Sequence, residues 1–432
     1  MTKIKVIGAG LAGCEAAYYL AEHGIEVELI EQKGVKRSPA HSINGFAELV
    51  CSNSLKAIRA ESAGGLLKQE MRHFGSICMQ AADSCRVPAG GALAVNRNLF
   101  SLYISEKIKR HPNITVVQIE QKEIPEDGFV IIATGPLTEG EFAEDIKKYC
   151  GEYLSFYDAA APIVSFDSID MDKAFTASRY DNEDGDYINC PMDKEEYEAF
   201  YEELIHAESA PLNEFDHQPN VYEGCMPVEI AAKRGIDTIR FGPLKPVGLR
   251  DPKTGHRPWA VVQLRKENSE GTLYNLVGFQ TNLRFPEQKR VFSLIPALKN
   301  AEYMRYGVMH RNTFINSPKL LNADYSMRSN SRIFFAGQIT GVEGYMESAS
   351  SGILAAVNVL RRLKNEEPFV LPKSTMLGAI AYYISDESVT NFQPMGANFG
   401  ILSAIEPHIR DKKQRAVNYA ERSEKVFEGL TL

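Results

Sequence analysis

The chain has 432 residues, with 48 Lys and Arg against 56 Asp and Glu and a formal net charge of −8. A hydrophobic share of 44% and a charged share of 24% are typical of a globular protein, and the length predicts two domains or one domain with an insertion. The negative charge argues against non-specific nucleic-acid binding, although it leaves room for a local basic patch. No apolar run is long enough to cross a bilayer, and the first strand begins almost at the N-terminus, so we expect no membrane span, no leader peptide and a cytoplasmic protein.

The first predicted elements form a dinucleotide-binding unit. An apolar strand leads into three glycines with G-x-G-x-x-G spacing, a helix follows, and a second apolar strand ends at an acidic residue. Such glycines allow a tight turn and close backbone approach, the helix N-terminus offers N–H groups to a pyrophosphate, and the acid accepts a hydrogen bond from a ribose hydroxyl. The predicted site comprises Gly8, Ala9, Gly10, Leu11, Ala12, Gly13 and Glu31.

The next elements continue an α/β pattern. Helical spacing over residues 56–74 is followed by a glycine-rich stretch that enters a helix at residues 99–110 and a strand at 114–118. A further buried strand ends in Ala133, Thr134 and Gly135. The position of this turn, soon after the first unit, favours a strand end that approaches the same cofactor.

The pattern changes between about residues 170 and 300. An acidic turn at 181–186, an amphipathic helix at 194–207 and strand-like stretches at 263–266 and 272–280 indicate an inserted α+β domain. We therefore predict a discontinuous Rossmann-type domain, residues 1–175 and 303–432, interrupted by a smaller α+β insertion, residues 176–302.

The first domain is predicted to resume with a strand that ends at Gly337 and Gln338 and leads into an apolar helix through residue 363. This second strand–glycine–helix junction offers a second helix N-terminus to an anionic ligand. One cradle near each end of the chain fits FAD, with the early glycines at the pyrophosphate and the late turn on the flavin side. The predicted fold class is α/β.

Two of the seven cysteines lie in polar, irregular stretches, namely Cys51 and Cys225. An accessible loop cysteine can become a thiolate nucleophile, whereas most unpaired cysteines are small buried hydrophobes, and local sequence leaves both readings open. His310 lies in a dense polar stretch and could stack on a planar ligand, move a proton or merely hydrogen-bond within the fold. No C-x-x-C pair occurs, so we predict neither a metal site nor a redox disulfide.

Four basic clusters, each of which alone is an ordinary solvated surface, could together form an RNA-binding surface with the aromatic residues between them. The clusters are residues 250–265, 284–290, 305–311 and 410–415, and the aromatics are Trp259, Phe285, Tyr303 and Tyr306.

These stretches together resemble one family over nearly the whole chain, the bacterial folate- and FAD-dependent tRNA (uracil-5-)-methyltransferases. Several of the blocks are long and unusual, which makes the resemblance specific. They are residues 8–13, 39–41, 46–55, 86–95, 133–137, 223–227, 240–248, 306–318, 335–345 and 391–395.

The resemblance implies methylation of C5 of uridine 54 in the tRNA T-loop, with methylenetetrahydrofolate as one-carbon donor, FAD as methylene carrier and NAD(P)H as reductant. Uracil C5 becomes nucleophilic only after a thiolate adds at C6, and a base must then remove the C5 proton. By the family pattern these roles fall on Cys51 and Cys225, with Cys225 favoured as nucleophile and Cys51 as flavin-side thiol or base. His310 matches the histidine that stacks the pterin of the folate.

Other activities stay open at this point. The same chemistry could act on a ribosomal RNA uridine, and a related flavoprotein modifies the wobble uridine of tRNA but is a longer chain. An ordinary FAD–NAD(P)H oxidoreductase usually carries a second G-x-G-x-x-G or a close cysteine pair, and neither occurs here. A non-catalytic RNA-binding flavoprotein is disfavoured by the absence of an overall basic charge.

Overall fold

Two six-stranded sheets organise the chain in a computed structural model that describes residues 3–38, 40–179, 185–211, 226–268, 270–407 and 409–430. Two smaller sheets accompany them. The strands are β1 (Ile4–Ile7), β2 (Val27–Glu31), β3 (Ser54–Ala57), β4 (Arg86–Val87), β5 (Ala92–Val95), β6 (Ile114–Gln118), β7 (Val130–Ile132), β8 (Leu154–Ala159), β9 (Ile163–Ser165), β10 (Phe175–Thr176), β11 (Tyr187–Met192), β12 (Ala260–Lys266), β13 (Leu273–Leu276), β14 (Tyr303–Arg305), β15 (Met309–Phe314), β16 (Ser326–Met327) and β17 (Asn330–Phe335).

The helices lie on the faces of these sheets and in the connections between them. They are α1 (Leu11–Glu22), α2 (Ala63–Arg72), α3 (Ile77–Ser84), α4 (Arg97–Arg110), α5 (Gly140–Cys150), α6 (Lys194–His206), α7 (Val228–Ala232), α8 (Ile236–Phe241), α9 (Phe285–Phe292), α10 (Ser317–Leu320), α11 (Tyr345–Leu363), α12 (Met376–Tyr383) and α13 (Lys412–Glu428).

The first sheet has the order β16-β17-β7-β1-β2-β6, and its five strands from β17 to β6 are parallel. β17 comes from the late part of the chain and pairs directly with β7 from the early part, with Ile333 opposite Val130. The carboxyl ends of β1, β7 and β17 therefore meet at one edge, where open α/β sheets bind their ligands. The predicted α/β Rossmann-type fold is confirmed.

The second sheet has the order β10-β11-β12-β13-β9-β14 and is antiparallel throughout. Its apolar face forms a separate core with α6 and α9. Its strands lie between Ile163 and Arg305, a span that contains both predicted insertion boundaries, 176 and 302. Most of the predicted acidic turn at 181–186 lies outside the described residues.

Helices α1 and α11 approach to backbone contact. A Cβ atom added at Gly352 would lie 2.0 Å from the carbonyl oxygen of Ala12, and one at Gly13 would lie 1.8 Å from that of Gly8. A side chain larger than hydrogen at Gly352 would therefore push α11 away from α1, and one at Gly13 would push α1 away from the turn that follows β1. The close approach places the N-termini of both helices beside the same edge of the sheet.

The helix predicted over residues 56–74 begins later, at Ala63. Lys56, within β3, has a left-handed φ of 65°, and the Ser62 side chain caps the helix by accepting a hydrogen bond from Gly65 N at 3.1 Å. A serine cap sets a helix start more strongly than the propensity of the residues before it. The stretch between Cys51 and the helix is consequently an irregular strand and turn.

A buried carboxylate connects the C-terminal helices α12 and α13 to α2. Glu70 on α2 accepts hydrogen bonds from Met376 N and Leu377 N, both at 2.7 Å, at the start of α12. It also accepts one from Ser423 Oγ on α13 at 2.6 Å. Burial raises the pKa of Glu70 from its ordinary value of 4.5 to about 7, although the three hydrogen bonds oppose this shift.

Because folded Glu70 holds its proton more tightly than the unfolded chain does, the free energy of unfolding should fall as pH rises from about 4.5 to about 7. The full contribution is at most about 3 kcal/mol. We expect Glu70→Gln to remove most of this decrease in denaturant titrations at a series of pH values. Glu421→Gln, at an exposed position of α13, is the matched control, and equal pH profiles for wild type and Glu70→Gln would contradict the assignment.

Candidate active site

A cleft of about 1250 Å³, including its open mouth, lies at the edge where β1, β7 and β17 end. Most residues predicted to bind the cofactor line it. Gly13 instead lies beneath the floor, where it permits the contact with Gly8. The predicted residues in the lining are Gly8, Ala9, Gly10, Leu11, Ala12, Glu31, Ala133, Thr134, Gly135, Gly337 and Gln338.

Two glycines shape the floor of the cleft. Gly8 has a φ of 99°, and a Cβ atom there would lie 2.5 Å from the carbonyl oxygen of Ala133, so only glycine lets β1 and β7 end side by side. Gly337 has a φ of 84° and begins the late turn. Both positions favour glycine, and both leave backbone exposed to a ligand that approaches closely.

Glu31 closes the floor on the side of β2. Its carboxylate accepts hydrogen bonds from Ala9 N and Lys33 N, each at 2.7 Å. Each carboxylate oxygen can accept a further bond, so the predicted contact with a ribose hydroxyl stays possible. Lys33 also lines the cleft and donates to the carbonyl oxygen of Gly45 at 2.7 Å.

The cleft fits a flavin dinucleotide. The N-termini of α1 and α11 both reach it, through Leu11 and Tyr345, and each offers backbone N–H groups to an anion. Ser348 Oγ, buried in the lining, has no hydrogen-bond partner among the described residues, which is consistent with a polar ligand group beside it. These features match a long ligand with a central pyrophosphate.

Cys51 lies beside the cleft next to Tyr345. The Tyr345 hydroxyl oxygen accepts hydrogen bonds from Cys51 N at 2.8 Å and Ser52 N at 3.1 Å, and it lies 2.9 Å from Cys51 Sγ. Because two N–H groups already point at this oxygen, its own proton is free to be donated to the sulfur. Burial raises the pKa of Tyr345 well above its ordinary value, so the hydroxyl keeps that proton. The arrangement stabilises a thiolate at Cys51.

A buried ion pair supports this loop from one side. Arg97, at the start of α4, makes a forked contact with Glu267, with Nε to Oε2 at 2.6 Å and Nη2 to Oε1 at 3.1 Å. Its third donor, Nη1, contacts the carbonyl oxygen of Leu49 at 2.9 Å. The side chains of Arg97 and Glu267 are 13% and 4% exposed, so water screens the pair little.

Two arginines of the second sheet support the loop from the other side. Arg265 donates to Asn53 Oδ1 at 2.9 Å and to Ser52 Oγ at 2.8 Å, and Arg305 donates to the carbonyl oxygen of Val50. Together with Arg97 they place three guanidinium groups and one carboxylate around the loop that carries Cys51. The excess of positive charge favours an anion at the thiol. We call the side chains of Arg97, Arg265, Arg305 and Glu267 the arginine cluster.

The second predicted cysteine, Cys225, lies outside the described residues. The described residues on both sides of it contact one short stretch: Ala210 N donates to Asn282 O and Val228 N donates to Gln280 O, each at 2.7 Å. His310 lies on β15, with its Cα opposite that of Asp158 on β8.

β15 lies next to one part of the cleft lining. Thr313, three residues beyond His310, donates from its backbone N to the carbonyl oxygen of Pro136 at 2.8 Å. Pro136 lines the cleft.

The other five cysteines are buried away from the cleft, and burial raises the pKa of each thiol. They are Cys14, Cys78, Cys85, Cys150 and Cys190. Across the described ranges, no group of three or more His, Cys, Asp or Glu side chains could hold a metal ion. None of the described helices combines the length and apolar character needed to cross a bilayer.

The predicted basic clusters separate in the structure. Arg265 and Arg305 belong to the arginine cluster, whereas Arg284 and Arg290 form exposed ion pairs with glutamates. The aromatic rings of Phe285, Tyr306 and Tyr303 stack in a row, with centroid distances of 4.6 and 5.0 Å.

Comparison with known proteins identifies close relatives. The family model of glucose inhibited division protein A matches residues 3–367. The methylenetetrahydrofolate--tRNA-(uracil-5-)-methyltransferase TrmFO of Acetivibrio thermocellus is 59% identical over 425 residues, which are 98% of this chain and 97% of the relative. The protein of the same name from Exiguobacterium sp. is 56% identical over 424 residues, 98% and 97% of the two chains.

Among solved structures, GidA of Aquifex aeolicus in its form II crystal has a TM-score of 0.70 to this chain at 15% identity. The match covers 99% of this chain and 73% of that chain. At this identity the likeness concerns the fold.

Tyr345→Phe tests the hydrogen bond to Cys51. We expect the pH midpoint for alkylation of Cys51 by iodoacetamide, followed by mass spectrometry of its peptide, to rise by about one to two units, because a hydrogen bond to a charged group contributes roughly 1.5–3 kcal/mol. Ser348→Ala, which changes the lining of the same cleft, is the control. An unchanged midpoint in Tyr345→Phe would exclude the hydroxyl as the donor.

Arg265→Gln tests the arginine cluster. Loss of one nearby cation should raise the same alkylation midpoint by about one unit. Arg265→Lys keeps the charge but loses the forked geometry, so it should give a smaller rise. Midpoints that rise equally in both variants would show that Arg265 acts through loop geometry rather than through its charge.

Proposed function

We propose the full reaction of this chain, which belongs to the glucose inhibited division protein A family and to the methylenetetrahydrofolate--tRNA-(uracil-5-)-methyltransferases. The chain is 54–59% identical to relatives with the latter name. It is a folate-dependent enzyme that methylates C5 of a tRNA uracil and uses FAD. The proposed target is uridine 54 of the T-arm, and the proposed reductant is NAD(P)H. The observation that carries the proposal is the position of Cys51, a thiol held beside a cleft that fits a flavin dinucleotide.

When bound, FAD supplies the redox chemistry and carries the one-carbon unit. The chain supplies the environment. The glycine turn at Gly8 and the N-terminus of α1 provide N–H groups for the pyrophosphate, and Glu31 provides acceptors for the adenosine side. The late turn at Gly337 and the N-terminus of α11 would contact the flavin side of the ligand.

Methylation of the uracil requires a nucleophile and a base, and we propose a thiol for each role. One must add at C6 to make C5 nucleophilic, and a base must then take the C5 proton. We assign the nucleophile to Cys225 and the flavin-side thiol or base to Cys51. The Tyr345 hydroxyl and the arginine cluster support an anionic sulfur at Cys51, which can accept a proton or form a bond to carbon.

His310 is proposed to stack on the pterin of the folate. This is supported by the course of β15, whose Thr313 contacts the cleft residue Pro136. The folate would then lie near Pro136, where β15 contacts the lining of the cleft. The cytoplasmic location expected from the sequence is part of the same proposal.

The reaction can be tested on the purified protein. We expect yellow protein that methylates an unmodified tRNA transcript at uridine 54 only when methylenetetrahydrofolate and NAD(P)H are both present. Product is measured as 5-methyluridine by mass spectrometry of the digested RNA, with ribosomal RNA assayed in parallel. Transfer from S-adenosylmethionine, or no product with a T-arm that contains uridine 54, would refute the proposal.

Cysteine variants are the controls in this assay. Cys51→Ala and Cys225→Ala should each abolish methylation, and Cys225→Ala should retain bound flavin. Cys190→Ala removes a fully buried thiol on β11 and should methylate like wild type. Activity in both Cys51→Ala and Cys225→Ala would exclude the thiol mechanism.

A further inference from the structure

The insertion domain carries a basic segment that the cleft does not use. Residues 233–257 contain seven Lys and Arg and two Asp, a local charge of +5 in a chain whose net charge is −8. The segment includes the whole block 240–248, to which the reaction chemistry assigns no role.

Buried leucines hold this segment on the second sheet and turn its cations outward. Leu244 and Leu249 are buried, Val261 N on β12 donates to the carbonyl oxygen of Leu244 at 3.0 Å, and Leu249 packs against Val261. Lys245 and Arg250, which follow these leucines, are exposed. The cations are therefore presented on a backbone that is fixed by packing.

An arginine–tryptophan pair lies beside these cations. The guanidinium of Arg240 lies 3.8 Å from the ring centroid of Trp259, and its Nε donates to the carbonyl oxygen of Trp259 at 3.1 Å. Phe241 is 65% exposed and contacts the same guanidinium at 4.9 Å, and Lys194 lies 5.9 Å over the Trp259 ring. Flat guanidinium and aromatic groups of this kind stack on nucleobases and riboses.

Most of the cations are available to an anionic partner. Arg240 forms an ion pair with Asp237 at 3.4 Å. In the parts of the chain that the structure describes, Lys245, Arg250 and Arg257 have no ion pair with a carboxylate. An acidic chain that keeps such a local excess of positive charge has a surface suited to a polyanion.

β12 relates this surface to the active site. Trp259 immediately precedes the strand, and Arg265 near its other end contacts the loop of Cys51. Six residues of strand extend about 20 Å. If the reacting base of a ligand lies at Cys51, the part of that ligand that contacts the basic segment lies about 20 Å from the base.

We propose that this surface binds the sugar–phosphate backbone of the RNA stem that adjoins the modified uridine. The basic patch, as we call it, consists of Lys194, Arg240, Lys245, Arg250, Arg257 and Trp259. The proposal rests on the proposed function, since it takes tRNA as the substrate, and it adds the place where the helical stem docks. The cations contact phosphates and the Arg240–Trp259 pair contacts the ribose or an unpaired base at the edge of the stem.

The test combines Lys245→Ala, Arg250→Ala and Arg257→Ala in the full-length flavoprotein and measures the Kd for an unmodified tRNA transcript by fluorescence anisotropy at several salt concentrations. Loss of about three phosphate contacts should lower the magnitude of the slope of log Kd against log salt by about two to three. The KM for tRNA in the methylation assay should rise at least tenfold, while kcat at saturating tRNA stays near the wild-type value.

The matched control is the triple variant Arg110→Ala, Lys148→Ala and Lys364→Ala, which removes the same charge from exposed positions of the first domain. It should keep the wild-type slope and KM. An equal effect of both triple variants, or a basic-patch variant with unchanged Kd and slope, would overturn the proposal, and the latter would point to an acidic protein as the partner. A wild-type protein that does not methylate tRNA would instead refute the proposed function, so the two failures are distinguishable.

Discussion

The backbone contact between α1 and α11 is the constraint on which the rest of the structure depends. These helices come from distant parts of the chain, and the absence of a side chain at Gly352 lets them touch. The contact completes one parallel sheet from two distant segments, because β17 can then pair with β7. It also brings two helix N-termini to one cleft, and Tyr345, the first residue of α11, to the loop that carries Cys51. Cofactor cradle and thiol site therefore share a single structural origin.

The first domain could be predicted from the sequence because its signals are local. The strand before Gly8, the glycine spacing and Glu31 lie within a short stretch, and every predicted cofactor residue except Gly13 lines the cleft. The late junction at Gly337 was recognisable for the same reason. The start of α2 was less predictable, since the Ser62 cap and the left-handed Lys56 prevent the helix predicted over residues 56–74 from beginning before residue 63.

The surroundings of Cys51 could not be predicted in the same way. Arg97, Arg265 and Arg305 act through backbone carbonyl oxygens and amide or hydroxyl groups of the loop, and such partners leave no pattern in the sequence. Arg265 and Arg305 are each more than 150 residues away from the loop in the sequence, as Arg97 is from Glu267. Arg97 is closer to the loop, 48 residues from Leu49. Tyr345 was near a recognisable block, yet its direction toward the sulfur depends on the packing of α11. The predicted basic clusters could not be assigned from sequence either, because Arg265 and Arg305 contact the loop of Cys51 whereas Arg284 and Arg290 form exposed ion pairs.

The arginine cluster has a consequence for how this protein can vary between species. Arg265 and Arg305 belong to the second sheet, whereas the loop from Leu49 to Asn53 lies outside it, and Asn53 in turn donates to the carbonyl oxygen of Lys266. The second sheet and that loop are therefore coupled through side-chain contacts, although the chain separates them by more than a hundred residues. A chimera that takes the second sheet from a relative should fold around Cys51 only if it takes the loop from the same relative.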